Sequence, residues 1–380
     1  MIIIFLANIF FPLYEDIIGF SRIMINCLIL QSFGSYLIYF YGAKLNVEFR
    51  YKPYLLISFI NTLGNILLSV FLIVFVFNTE RYIGRILGTA IPVILLAIVI
   101  SIIVMKKGKK IINIEYWKYA LVIGLPLVPH VVSQSLLSQF DRIMIGSMVG
   151  ASEAGIYSYI YTLCTIMSVI CTSLDNAWTP WVFIKLKNNE SEKVKQSSVN
   201  YIKIYTILTI GFICVMPEIT KLLAGKEYWE GIDLLIPLTI SNYFIFLYML
   251  PINIEYYNKK TKYISIGTVS ATIVNVILNS IFIHFFGYKI AAYTTLISYM
   301  LLFVFHWKIA EKYNIKQSYN FKIILKYIVY VFLVGITIYI ANKIYFLGIL
   351  YRYFIILVIF IYFYKNKEIF LNMIKSNNRG

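Results

Sequence analysis

The chain has 380 residues, 60% of them hydrophobic and only 13% charged, whereas a soluble domain carries about 25% charged residues. Apolar runs of about twenty residues recur from end to end, each enough to cross a ~30 Å hydrocarbon core. A soluble globular protein is therefore excluded, and so is an outer-membrane barrel, which would alternate in segments of about ten residues. A formal net charge of +17 would suit nucleic acid, but its distribution assigns it to membrane topology, and no nucleic-acid partner is expected.

In chain order, a short apolar piece, 1–13, comes first, with no Lys or Arg before it to make a signal peptide. About eleven spans follow, predicted at 17–41, 54–77, 85–105, 116–140, 153–179, 201–224, 231–255, 262–286, 289–309, 321–346 and 349–365. The expected fold class is an all-α polytopic membrane protein. The longest polar stretch, Lys185 to Asn200, is expected to be a loop. Cys27, Cys164, Cys171 and Cys214 all lie in apolar spans and suggest small core residues rather than a disulfide or metal framework.

Basic residues alternate in number from loop to loop. One side collects 23, including Lys106, Lys107, Lys185, Lys187, Lys259, Lys260, Lys308 and Lys316. The other collects 8, including Arg81, Arg85, Arg142 and Lys289. Basic loops mark the cytoplasmic side, which would place the C-terminus in the cytoplasm. A faint repeat accompanies this pattern. At an offset of 210, "NTLGNILLSVFLIVFVF" (61–77) faces "ATIVNVILNSIFIHFFG" (271–287), matching Thr62 to Thr272 and Asn65 to Asn275. Chance similarity between apolar helices is the competing explanation. A true repeat would imply two related helical lobes.

The segment "PLVPHVVSQSLLSQFDRIMIG" (126–146) places polar groups in an apolar run. At helical spacing Pro126, His130, Ser133, Gln134, Leu137 and Asp141 share about a quarter of the circumference, with Arg142 just beyond. Facing lipid, such groups would cost several kcal/mol each, on the order estimated for intramembrane charges. They are therefore expected to face protein or a wet cavity, with Pro126 and Pro129 as a hinge. The next span repeats the pattern with Tyr157, Tyr161, Thr165, Ser168, Thr172, Asp175 and Thr179. Structural alternatives stand beside this: an Asp141–Arg142 pair, His130 capping backbone freed by Pro126, and Tyr packing. Trp178 and Trp181 are expected in an interfacial belt. His130, His284 and His306 are scattered, and no metal-ligand cluster, P-loop or GxSxG occurs, so no cofactor and no ATP-driven chemistry is expected.

"YWKYALVIGLPLVPH", "QFDRIMIGSMVGASEAGIYSYIY" and "NAWTPWVFIKL" together resemble the polysaccharide flippases of the multidrug/oligosaccharidyl-lipid/polysaccharide (MOP) superfamily. The resemblance runs over nearly the whole chain and is most specific over 116–184. It implies two six-helix lobes followed by two further spans. Here these become a partial first lobe over 1–110, a six-helix lobe over 111–312, and two helices with a cytoplasmic tail over 313–380. Against that plan the front is short: two spans are absent and 1–13 is a stump of the third.

The implied activity is non-enzymatic. Undecaprenyl-pyrophosphate-linked sugar repeat units would cross a bacterial cytoplasmic membrane, for O-antigen, capsule or exopolysaccharide, with H+ or Na+ as the candidate coupling ion. Implied partners are that substrate, membrane lipids, and a polysaccharide polymerase with its chain-length machinery. His130, Gln134, Asp141, Arg142, Tyr157, Tyr161 and Asp175 are the candidate path residues, able to meet pyrophosphate and sugar hydroxyls. Three alternatives stay open: a MATE-type cation/drug antiporter, which the carboxylates Asp141 and Asp175 suit; an integral-membrane polysaccharide polymerase or ligase, which would want a long outer loop; and a peptidoglycan-precursor flippase.

Overall fold

The computed structural model describes residues 22–108 and 113–365. The apolar piece 1–13, the start of the first predicted span and the tail bearing Lys367, Lys375 and Arg379 lie outside them. The helices are α1 (Arg22–Val47), α2 (Tyr51–Phe71, running into a π-helical turn, Leu72–Val76), α3 (Arg81–Gly108), α4 (Ile114–Gly124) and α5 (Val128–Met148). Next come α6 (Ala151–Lys187), α7 (Ser191–Leu223), α8 (Leu235–Tyr257), α9 (Thr261–Phe286) and α10 (Ile290–Glu311). A single turn, α11 (Ile315–Ser318), precedes α12 (Phe321–Asn342) and α13 (Tyr345–Lys365). No strand occurs among the described residues. Among the described residues ten segments are long and apolar enough to cross a membrane, with α4 and α5 forming one of them; in α13 the apolar part, Phe346–Tyr362, is shorter. The protein is a multi-pass, all-α membrane protein. Helices are the natural solution because each satisfies its own backbone groups where lipid offers no partner.

Two compact units divide the chain, Met1–Trp117 and Lys118–Gly380. In the second, α8 is the central helix. Of its most apolar stretch 83% is buried inside the protein, against 6% for the α2 segment. Tyr205 of α7 stacks on both Tyr243 and Phe246 of α8, all three fully or almost fully buried. In the first unit Tyr41, Leu45 and Ile100 form a small core between α1 and α3.

The two units share a local design. Helices α2 and α9 begin at 51 and 261, the offset of the sequence repeat. The turns before them match as well. Arg50 N–H bonds back to the Leu45 carbonyl at 2.9 Å, and Lys260 N–H to the Glu255 carbonyl at 2.8 Å. Phe49 and Lys259 take the left-handed conformation that such a helix-ending turn needs. The same turn also ends α6, where Glu190 N–H bonds back to the Lys185 carbonyl at 2.9 Å and Asn189 is left-handed.

Within the first unit α2 meets α3 closely at Gly88. A Cβ there would stand 2.6 Å from the Ser69 backbone nitrogen, and backbone cannot rotate away. Gly88→Ala is expected to cost about 1–3 kcal/mol through overpacking. Thermal unfolding of the detergent-solubilised protein checks this; an unchanged midpoint would contradict it.

Two expectations need correction. The polar stretch 185–200 is not a loop: α6 runs to Lys187 and α7 starts at Ser191. The turn between them is held by Lys185 Nζ and Lys193 Nζ at 2.8 and 3.0 Å from the Glu190 carboxylate. Hydrogen bonds from Lys185 and then Lys193 hold the Glu190 carboxyl below its usual range. Charges spaced at helical intervals extend both helices into water rather than ending them. Trp178 also faces the protein core rather than lipid. It is buried, stacks on Tyr201 with ring centroids 4.2 Å apart, and donates its indole N–H to Tyr319 Oη at 3.3 Å. A satisfied N–H removes the reason to stay near water.

Candidate functional site

The polar hairpin predicted from sequence forms, and most of its groups turn inward against α8, α9 and α10. At its entrance a 3-10 turn, Leu125–Leu127, separates α4 from α5. Pro126 and Pro129 cannot donate the backbone bonds that would continue the helix. Ser265 Oγ on α9 donates to the Pro126 carbonyl. His130 Nδ1 lies 2.6 Å from Thr268 Oγ1, and Gln134 Nε2 donates to Tyr248 Oη at 2.9 Å. Thr272 Oγ1 donates to the Ser133 carbonyl at 3.1 Å. The stripe on α5 thus seals a helix seam, partner by partner.

Asp141 is the centre of this seam and is fully buried. Its Oδ2 accepts from Tyr157 Oη on α6 at 2.7 Å and from Thr295 Oγ1 on α10 at 2.6 Å. Its Oδ1 accepts from Asn279 Nδ2 on α9 at 2.6 Å. A further shell supports these donors: Asn275 Nδ2 donates to Thr295 Oγ1 at 3.2 Å, and Thr294 Oγ1 donates to Asn279 Oδ1. Four helices therefore converge on one carboxylate. No Lys or Arg forms an ion pair with Asp141 among the described residues. The Asp141–Arg142 pair considered from sequence does not form, because successive helical residues point about 100° apart. Arg142 instead donates from Nη1 to Gln139 Oε1 at 3.1 Å and sits 4.5 Å from the Tyr161 ring centroid. Its Nε has no partner among the described residues.

Asp175 belongs to a separate group further along α6. Its Oδ1 accepts from Thr179 Oγ1 at 2.8 Å and from Asn253 Nδ2 at 3.4 Å. So His130, Gln134, Asp141, Tyr157 and Asp175 each engage the inner helices. Tyr161 joins Arg142, and Tyr157 links the two groups, its ring 6.1 Å from that of Tyr161. Sequence reasoning missed Asn279, Thr294 and Thr295. The available signal was an Asn pair four residues apart on an otherwise apolar helix, facing a Thr-Thr step on the next.

Beside α6 and α7 runs an apolar groove of about 400 Å³, lined by Ile166, Ile170, Ile207, Phe212, Val215 and Ile356. Near it Arg352, carried into the apolar α13, is nearly buried and paired with Glu218 of α7 and Asn342 of α12.

Residues 1–184, which include α5 and nearly all of α6, match the polysaccharide biosynthesis protein family. The resemblance carried by the 116–184 block is borne out. An uncharacterized membrane protein of Haemophilus influenzae is 26% identical over 234 residues, 58% of this chain and 56% of its own length. The chain thus spans little more than half of that relative. Protein 1 of the Lsg locus of the same organism is 26% identical over 288 residues, 69% of each chain. Among solved structures, a multidrug resistance MATE family transporter of the MOP superfamily, in its outward-facing conformation, matches with a TM-score of 0.62. The match covers 81% of this chain and 74% of the transporter at 15% identity. The chain therefore has a MATE-like fold.

Proposed function

We propose that this protein moves undecaprenyl-pyrophosphate-linked oligosaccharide repeat units across the bacterial cytoplasmic membrane for surface polysaccharide synthesis. The observation that carries the reading is Arg142: a guanidinium without an acidic partner among the described residues, held against Tyr161 in a hairpin that matches a polysaccharide biosynthesis family. A planar cation suits a pyrophosphate, and tyrosine faces suit sugar rings. The apolar groove beside α6 and α7 suits the polyprenyl tail. Pro126 and Pro129 serve as the hinge, since the 3-10 turn already divides α4 from α5. His130, Gln134 and Asp175 line the path when the seam they now seal comes apart.

Asp141 is the site for a coupling ion. A buried carboxylate without a basic partner among the described residues favours a proton or a hard cation, and its neighbours Asn275, Asn279, Thr294 and Thr295 offer side-chain oxygens. The same observation favours the second reading, a cation antiporter. Complementation separates them. Expression in a flippase-deficient strain should restore surface polysaccharide. No restoration, together with Na+- or H+-driven uptake of an organic cation by vesicles holding the protein, would favour the antiporter.

The excess of basic residues on one set of loops, 23 against 8, puts those loops and the C-terminus in the cytoplasm. In a background lacking the native cysteines, Ser152→Cys should react with an impermeant thiol reagent applied to intact cells, and Asn188→Cys should not. The reverse labelling would invert the topology.

A further inference from the structure

A second buried acid lies outside the Asp141 cluster. Glu255 on α8 and His306 on α10 are both fully buried, with His306 Nδ1 2.9 Å from Glu255 Oε1. The remaining atom of each group, Glu255 Oε2 and His306 Nε2, is buried without a hydrogen-bond partner among the described residues. Gly267 on α9 faces this imidazole. A Cβ there would come within 2.7 Å of His306 Nε2, so glycine lets α9 pack directly over that nitrogen.

The surroundings supply no fixed counter-charge. Among the described residues the one ion-pair partner of Glu255 is His306. Tyr248 stacks beside the imidazole with centroids 6.0 Å apart. The other titratable groups that face the pair are His130 from α5, close enough to interact with His306, and Tyr256 on α8, which interacts with both Glu255 and Asp175 of α6. Lys259 and Lys260 follow in the turn after α8, and Lys260 meets Glu255 through its backbone N–H alone.

A neutral imidazole beside an ionised carboxylate would leave a whole negative charge in the core. One added proton makes the pair neutral, as imidazolium and carboxylate, and removes most of that cost. We propose that Glu255 and His306 form a proton-binding site of the second unit, separate from Asp141 and loaded in the closed packing described here. The proton is shared across the 2.9 Å contact and belongs to the pair rather than to either residue. It leaves only when water reaches Glu255 Oε2 or His306 Nε2 through the α8–α9–α10 seam. Loading is thus tied to opening at the end of the unit that carries Lys259 and Lys260.

With three histidines in the chain, nitrogen-15 histidine NMR of the full chain in phospholipid vesicles can resolve each ring. His130→Gln and His284→Gln, neither in the pair, assign His306 by elimination. At neutral pH His306 should carry protons on both ring nitrogens, and Glu255→Gln should return it to one. In D2O its ring protons should exchange at least about tenfold more slowly than those of exposed His284, as closed sites do. A singly protonated His306 together with an ionised Glu255, the latter read from its carboxyl carbon-13 shift, overturns the proposal, whether or not Glu255→Gln folds. Exchange as fast as that of His284 overturns the sealed site. The measurement uses no lipid-linked substrate, so its outcome is independent of the export reading.

Discussion

Asp141→Ala is expected to abolish the proposed export and to destabilise the second unit by about 3 kcal/mol or more. The reason is the number of groups left behind. Tyr157 Oη, Thr295 Oγ1 and Asn279 Nδ2 all donate to this carboxylate, and each buried donor without an acceptor costs about 1–3 kcal/mol. Thermal unfolding in detergent measures the loss, and an unchanged midpoint would show that the network contributes nothing. Asp141→Asn separates charge from structure. It keeps the volume and one acceptor oxygen, so the protein should fold. Without the charge it should lose any Na+ or proton dependence of export. Export with unaltered ion dependence would remove Asp141 from the coupling role.

Arg142→Ala should lower surface polysaccharide at least about tenfold, a loss of about 1.4 kcal/mol in substrate handling, while protein abundance stays near normal. Folding owes little to this side chain. It makes one hydrogen bond, to Gln139, and one ring contact, to Tyr161, the latter worth about 0.5–1 kcal/mol at an accessible site. Arg142→Lys should recover part of the export, since it keeps charge but loses the planar fork that grips a pyrophosphate with two donors. Quantitative immunoblotting beside the polysaccharide assay decides the matter. If export falls only in step with protein level, Arg142 is structural and the substrate reading loses its main support.

Much of the architecture was legible because lipid imposes strict rules. Span length, basic loops and a polar stripe at helical spacing all survive in the folded protein. Span ends were less legible, since helices α6 and α7 continue past the membrane-like sequence on charges that hydropathy counts as loop. The site was half visible. Asp141 and Tyr157 announced themselves as polar groups in apolar helices, and the structure joins them directly. Asn279, Thr294 and Thr295 did not, because a single Asn or Thr in a membrane helix is common and its meaning depends on a partner far along the chain. Arg142 shows the opposite difficulty: adjacency to Asp141 in sequence suggested a pair that helical geometry does not allow. Glu255 and His306 are 51 residues apart, and nothing local in either helix hinted at the other.

Helix α6 has a mechanical consequence. Its 37 residues make a rod of about 55 Å, nearly twice the ~30 Å thickness of the hydrocarbon core, and it passes Pro180 without interruption. Near one end Tyr157 is fastened to Asp141; near the other Lys185 is fastened to Glu190. A continuous helix held at both ends couples them: a tilt imposed where Tyr157 meets Asp141 is expected to reach the Lys185 end as well.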